Sequence, residues 1–467
     1  MRGAVSWTER DLLRLVADPG FEGWLAQIRA TGGCEHPVYV AGRKSVVDGA
    51  TGEVLSHVDT AGEPGGRLAL RCGNRRSVVC EPCAYRHAGD TYQVVRAGLA
   101  GGKGVSAGVG GHPRLFVTLT APGFGPVHRA GRCHGLGRAS CEHGRPRGCG
   151  QTHRDGAGVV GTPLCGRCYD YTAHVLWHAH AGELWSRTMR AVRRQLAALA
   201  GISRSGLGDV LRVSFAKVAE YQKRGAVHVH AVLRLDGPQG PEDDPPGWAT
   251  ETVLAAAVRT AVGAMKVSTP YVPGVGEFTV RWGRQLDIHP IRAVSASPVD
   301  ENAVAAYVAK YTSKSVSDSG GTDFRVGSLA DIRARRVSGH VRALMAACWR
   351  LGGIPELAGL RLRHWAHTLG YRGHVLTKSR RYSTTYKELR EERRAFVVDA
   401  GKEGGGSGEV RGGAVAVVSD IRYVTAGHSL AERELARGIA LDAVTNRAAA
   451  RDADPCAGGR AGRPGHE

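Results

Sequence analysis

Residues 210–236 read Val210-Leu-Arg-Val-Ser-Phe-Ala-Lys-Val-Ala-Glu-Tyr-Gln-Lys-Arg-Gly-Ala-Val-His-Val-His-Ala-Val-Leu-Arg-Leu-Asp236, and this stretch decides the architecture of the chain. Two segments rich in β-branched and apolar residues, 210–219 and 227–235, flank a turn at Lys223-Arg-Gly225. The segment predicts an antiparallel hairpin. Side chains alternate across a strand, so His228 and His230 point to one side, with Glu220 on the neighbouring strand. Two imidazoles and one carboxylate leave positions for water and a phosphate oxygen, a donor set that accepts Mg²⁺ or Mn²⁺.

Outward from the hairpin, Arg114-Leu-Phe-Val-Thr-Leu-Thr120 lies between Gly111 and Pro122 and predicts a buried strand. Between them sits an insertion with Cys133, Cys141, Cys149 and Cys165-Gly-Arg-Cys168, followed by a predicted helix at 172–199 that carries Arg187, Arg190, Arg193 and Arg194. His174, His178 and His180 on that helix are read as packing or as support for the insertion. Downstream, a Pro, Gly and Asp rich loop at 236–247 precedes a helix at 252–265 and strands at 277–282 and 286–291. Next comes Asp300-Glu-Asn-Ala-Val-Ala-Ala-Tyr-Val-Ala-Lys-Tyr-Thr-Ser-Lys314, a helix with Asp300 or Ser297 as its N-cap. Its Tyr307 and Tyr311 are one turn apart and share a face with Lys314, while Lys310 stands beside them. Phenols of this kind attack phosphodiesters, and the cations lower a phenol pKa and hold phosphate.

The chain has 467 residues, enough for two or three domains. Its 63 Lys and Arg against 43 Asp and Glu give a formal charge of +20 and a pI near 9.8, the footprint of a phosphate-rich partner. Nucleic acid fits better than an anionic membrane. The amino terminus turns charged before a signal-peptide core forms, and no apolar run is long enough to span a bilayer, so the cytoplasm is expected. Of eleven cysteines, nine fall between Cys34 and Cys168, which in a reducing compartment points to structural Zn²⁺. One set is Cys72, Cys80 and Cys83 with Cys34 or His36; the other is Cys141, Cys149, Cys165 and Cys168, with His143, Cys133 and His134 in reserve. Residues 97–111, containing Gly101-Gly-Lys-Gly104, read as a linker. Residues 361–394 interleave ten Lys and Arg with Trp365, Tyr371, Tyr382 and Tyr386, a composition that tracks phosphates and stacks bases. Lys378, Arg380 and Arg381 there, and Arg224 in the hairpin turn, are the expected DNA contacts.

Phe116-Val-Thr-Leu-Thr120, His228-Val-His230 and Tyr307-Val-Ala-Lys-Tyr311-Thr-Ser-Lys314 follow the order of the three motifs of rolling-circle replication initiators of the HUH endonuclease superfamily. The chain most resembles plasmid and integrative-element initiators of high-GC actinobacteria. That resemblance implies an α+β fold: an antiparallel-sheet HUH endonuclease domain with helices on one face, the histidine pair on a central strand and the tyrosine helix packed across it, plus zinc-binding modules. The resemblance covers about residues 111–395, the endonuclease; cysteine spacing and composition add a Cys-rich zinc region at 1–110, a zinc module inserted at 133–170, and a Gly/Ala-rich, partly disordered tail at 396–467. It further implies that His228, His230 and Glu220 hold the divalent ion and that Tyr311, Tyr307 or both form a 5′-phosphotyrosine, leaving a free 3′ hydroxyl as primer. Single-tyrosine relatives carry a glutamate four residues before the nucleophile. Here Tyr307 holds that position, which implies a second tyrosine that accepts the strand at termination, with Lys314 assisting the phosphate. The implied partners are origin DNA, single-stranded at the nick, and the host replication helicase and polymerase. A relaxase or single-strand transposase would use the same chemistry, although relaxases place tyrosine before the histidine motif. A non-enzymatic zinc-dependent DNA-binding regulator would explain charge and cysteines while leaving the two tyrosines unused.

Overall fold

Strand alternation and two capped helices set the core in the computed structural model, which describes residues 7–133, 139–292, 300–314, 322–402 and 415–453. Ser297, His134 and residues 454–467 of the tail lie outside the described residues. The chain divides into two compact units, Thr91–Tyr386 and one that joins Met1–Asp90 to Lys387–Glu467.

The first of these units is built on five strands: β1 (Arg114–Leu119), β2 (Arg212–Tyr221), β3 (Val227–Asp236), β4 (Leu286–Pro290) and β5 (Leu376–Lys378). They lie in the order β4-β1-β3-β2-β5 and pair antiparallel throughout. The β2–β3 hairpin runs in register from Arg212 opposite Asp236 to Tyr221 opposite Val227, and β3 is the central strand. Its turn is closed by the Gly225 amide on the Gln222 carbonyl at 2.8 Å, and Gly225 has a φ of 76°, which glycine adopts without strain.

Period two divides this sheet into two buried faces. Leu115, Val117, Leu119, Val229, Ala231 and Leu233 pack with Trp177, Leu184 and Trp185 of α1 (Tyr171–Leu199) and Leu254 and Val258 of α2 (Glu251–Ala264). On the other face Ala216, Val218 and Val232 pack with Val304, Ala305 and Val308 of α3 (Glu301–Thr312) and with Val95, Leu99 and Tyr382. Helices therefore cover both faces, not the one expected. The reason is in β3, where every residue after His228 is buried, as a strand wrapped on both sides requires. A second cluster joins α1 to α4 (Gly339–Leu351) through Val175, Leu176, Leu344 and Met345.

Two buried arginines lie directly opposite each other, Arg114 on β1 and Arg234 on β3. Arg234 is held by Asp236, at 2.5 and 3.0 Å, and Asp236 also accepts from Ser214 Oγ at 2.5 Å. Arg114 donates to Glu301 at the start of α3 and to the carbonyls of Leu99 and Gly110. The Gly-rich stretch at 97–111 is not simply a linker: a helix, Glu81–Ala100, runs into it and fully buries Leu99. Gly98 is there for space, since a Cβ would come 2.2 Å from the Tyr382 ring.

In the other unit, strands Val38–Ala41 and Arg43–Asp48 pair with strands from the far end of the chain, Arg422–Ala426 and Val415–Ser419 respectively. Trp24, Ile28, Tyr39 and Ala436 form its core. The residues expected as a tail thus complete sheets begun by the first fifty residues, and helix Leu430–Ala453 follows them. Among the described residues no helix is long and apolar enough to cross a membrane.

Candidate active site and metal centres

The sheet face under α3 gathers the aromatic and polar groups singled out by the motifs. Thr118 stands opposite His230, and its hydroxyl lies 3.0 Å from His230 Nδ1, which fixes the ring. His230 Nε2 then faces Glu220 Oε2 at 3.1 Å and the Tyr307 hydroxyl at 3.2 Å. Phe116 stacks on His230, with centroids 5.9 Å apart and an interplanar angle of 5°, and meets Tyr307 edge-on at 5.6 Å. Asp300 caps α3 by accepting from the Ala303 amide at 2.6 Å, and one helical turn then brings the Tyr307 and Tyr311 rings to 4.5 Å. The Tyr311 ring lies 6.1 Å from that of His230. Lys314 Nζ sits 4.3 Å from the Tyr311 ring centre and 4.0 Å from Glu220 Oε1. Lys310, exposed, is 5.9 Å from the same ring.

Electrostatics favour neutral phenols in the resting protein. Burial raises the pKa of both tyrosines, and the negative charge of Glu220 adds to it. His228 lies directly across from Glu220 on the paired strand, with its ring 6.2 Å from that of His230. Burial, with the nearby His230 and Arg224, pushes its pKa down to about 3, so it is a neutral imidazole, the form that ligates metals. Its donor atoms do not converge with those of His230 and Glu220. Among the described residues, three groups of Cys and His converge closely enough to hold an ion, and none contains His228, His230 or Glu220.

The expected DNA contacts separate. Arg224 donates to the carbonyls of Pro122 and Ala121 at 2.9 and 3.0 Å and to Gln222 Oε1 at 2.9 Å. These hydrogen bonds tie its guanidinium to the hairpin turn. Arg380 and Arg381 are exposed, and Arg381 also donates to the Gln239 carbonyl at 2.7 Å; Lys378 Nζ donates to the Ser383 carbonyl at 2.8 Å. On α1, Arg187, Arg190 and Arg194 line a cleft of about 290 Å³ with Met265, whereas Arg193 turns inward to the Met189 and Val213 carbonyls.

Three groups of Cys and His bring their donor atoms within 4.8 Å of one another. In the first, Cys34 rather than His36 joins Cys72, Cys80 and Cys83, with Sγ atoms of Cys80 and Cys83 at 3.9 and 3.6 Å from Cys34 Sγ. Sulfurs around one Zn²⁺ would be about 3.8 Å apart for bonds of about 2.3 Å. The second group is Cys141, His143, Cys165 and Cys168, with His143 Nδ1 3.2 Å from Cys168 Sγ. Cys149, expected in that group, lies instead with His128, Cys133 and His153, which form the third. Sequence reasoning missed His128 and His153, although the Cys149-x3-His153 spacing was there to be read.

Comparison with known proteins places this chain among proteins that act in replication. The family model RepSA, "Replication initiator protein, pSAM2", matches residues 20–441. A replication initiator protein of Streptomyces ambofaciens is 45% identical over 449 residues, covering 95% of each chain. The chain belongs to the RepSA family of replication initiator proteins, which supports a role in initiating plasmid replication. No solved structure matches it.

Proposed function

We propose that the protein nicks one strand of origin DNA by tyrosine transesterification and thereby starts rolling-circle replication. The observation that carries this reading is the Tyr307 hydroxyl 3.2 Å from His230 Nε2, itself 3.1 Å from Glu220, with the tilted Tyr311 ring 4.5 Å from that of Tyr307. A phenol oxygen of Tyr311 or Tyr307 attacks the scissile phosphorus, a P–O bond to the protein forms, and the P–O3′ bond breaks as the 3′ oxygen takes a proton. The products are a 5′-phosphotyrosine and a 3′ hydroxyl primer. Lys314 places its charge beside Tyr311, where it steadies the phosphate as negative charge shifts onto the leaving oxygen. The second tyrosine accepts the strand at termination, by the same exchange of one phosphodiester bond for another.

Two donors of the site are spaced for a Mg²⁺ or Mn²⁺ ion. His230 Nε2 and Glu220 Oε2 stand 3.1 Å apart, close to the roughly 3 Å between neighbouring ligands of an octahedral ion. The fit is made by these two, with His228 on the same side of the strand but outside the pair. Polarisation of the scissile phosphate is what such an ion supplies when bound. Structural Zn²⁺ is read at Cys34, Cys72, Cys80 and Cys83 and at Cys141, His143, Cys165 and Cys168. Single-stranded DNA passes over Arg380 and Arg381, while the arginine cleft on α1 suits a duplex phosphate. In the cytoplasm a host polymerase extends the primer while a host helicase unwinds the duplex.

Family membership favours initiation over a relaxase or transposase, and a non-enzymatic regulator leaves the tyrosine–imidazole contact without a use. The test is cleavage of labelled single-stranded origin DNA with Mg²⁺ or Mn²⁺, run on a denaturing gel. A covalent adduct that disappears in Tyr307→Phe/Tyr311→Phe with DNA binding retained is expected, and the single variants assign the first nucleophile. An adduct absent in the wild type under every condition, with tight duplex binding, overturns the enzyme reading.

A further inference from the structure

The third group, His128, Cys133, Cys149 and His153, has no part in the reading above. His128 Nδ1 lies 3.2 Å from His153 Nε2, Cys149 Sγ 3.2 Å from the same nitrogen, and Cys133 Sγ 3.9 Å from His128 Nδ1. Tetrahedral Zn²⁺ with Zn–N near 2.0–2.1 Å and Zn–S near 2.3 Å has edges of about 3.3 Å between two nitrogens and about 3.5 Å between nitrogen and sulfur. The observed separations straddle those edges. Two imidazole nitrogens 3.2 Å apart, with the Cys149 sulfur 3.2 Å from one of them, are spaced as ligands that share one cation. The backbone supports the convergence. A short ribbon pairs Gly131–Arg132 with Thr152–His153, and the Cys133 amide donates to the Gln151 carbonyl at 3.0 Å.

The order of ligands along the chain adds a second, independent observation. The pairs run His128 and Cys133, then Cys141 and His143, then Cys149 and His153, then Cys165 and Cys168. The first and third pairs meet in one group and the second and fourth in the other. The pairs alternate, so neither group can close without the chain segment that closes its neighbour.

We infer that residues 128–133 and 139–168 form a cross-braced module holding two Zn²⁺ ions, the additional one on His128, Cys133, Cys149 and His153. The inference rests on the zinc reading of Cys141, His143, Cys165 and Cys168 for its second ion only, and the two fail separately. Both sites keep four protein ligands, which makes the module a structural clamp with no open position for chemistry.

Elemental analysis of the full chain purified without added metal tests this, together with release of zinc by stepwise addition of a chelator. Three zinc ions per chain are expected, two of them leaving in one cooperative step because each stabilises the segment that binds the other. Cys149→Ser/His153→Ala should lose at least one ion and open residues 128–168 to trypsin. Two ions in the wild type, unchanged in that variant but reduced by Cys165→Ser/Cys168→Ser, would overturn the new site while leaving the neighbouring one standing. No ion, or one that both double variants keep, would overturn both. Release of the insertion's two ions in separate steps would overturn the cross-brace.

Discussion

The Arg114–Glu301 pair is the contact whose loss should matter most to the tyrosine helix. Arg114 is 3% exposed, sits opposite the equally buried Arg234, and has Glu301 as its single anionic partner among the described contacts. Glu301 is also the first residue of α3, where a negative charge suits the helix dipole. Glu301→Ala would leave a guanidinium facing a second cation with only the Leu99 and Gly110 carbonyls for compensation. Breaking a buried pair from one side costs about 3–5 kcal/mol, against only a few tenths of a kcal/mol for an exposed one. For a unit of about 300 residues that lowers Tm by roughly 5–8 °C. Thermal unfolding followed by circular dichroism gives the shift. Arg114→Leu/Glu301→Leu should recover most of the loss, because it removes the uncompensated charge as well as the pair. A Glu301→Ala variant within about 0.5 kcal/mol of wild type, or a double variant worse than either single one, would refute the reasoning.

Glu220→Gln keeps the shape but not the charge beside His230 and should cut adduct formation by more than about 100-fold while single-stranded DNA binding persists; a fully active variant would count against the carboxylate as ligand. Lys217 is 5% exposed on the face packed by α1, with Nζ 5.4 Å from the Trp185 ring, and burial pushes its pKa down to about 8. The unfolded chain therefore holds one more proton between about pH 8 and 10.5, so this residue makes stability rise with pH across that window. Lys217→Met should stabilise the unit at pH 7 by up to about 3 kcal/mol and by much less at pH 10.5, as read by urea denaturation; an equal gain at both would disprove the titration. Gly98→Ala drives a methyl into the Tyr382 ring and should cost about 3 kcal/mol, with wild-type stability as the contrary result.

The parts of the fold that were legible are those whose signals are local. Alternation around Gly225 announced the hairpin, and Asp300 announced the start of the tyrosine helix. The spacing of Tyr307, Tyr311 and Lys314 placed them together, and β-pairing brought Thr118 and Glu220 to His230. What escaped depends on distant chain. Cys149 and His143 exchange places because the 131–153 ribbon, not sequence spacing, decides which donors meet. Arg224 looked like a free cation in a turn, yet the carbonyls that hold it come from residues about 100 positions away. Gly98 resembles linker composition until Tyr382 is seen against it. The strands at 415–426 carry no signal of partners near the amino terminus, since strand propensity describes a surface to be packed and not its address.

That last pairing sets a timetable for synthesis. The strand Arg43–Asp48 leaves the ribosome about 370 residues before Val415–Ser419, which covers one of its edges. At roughly 5–20 residues per second the wait is roughly 20–70 s, during which that edge has unpaired amides and carbonyls and the sheet-forming unit has time to fold first. A chain broken off anywhere before residue 415 never covers that edge of Arg43–Asp48.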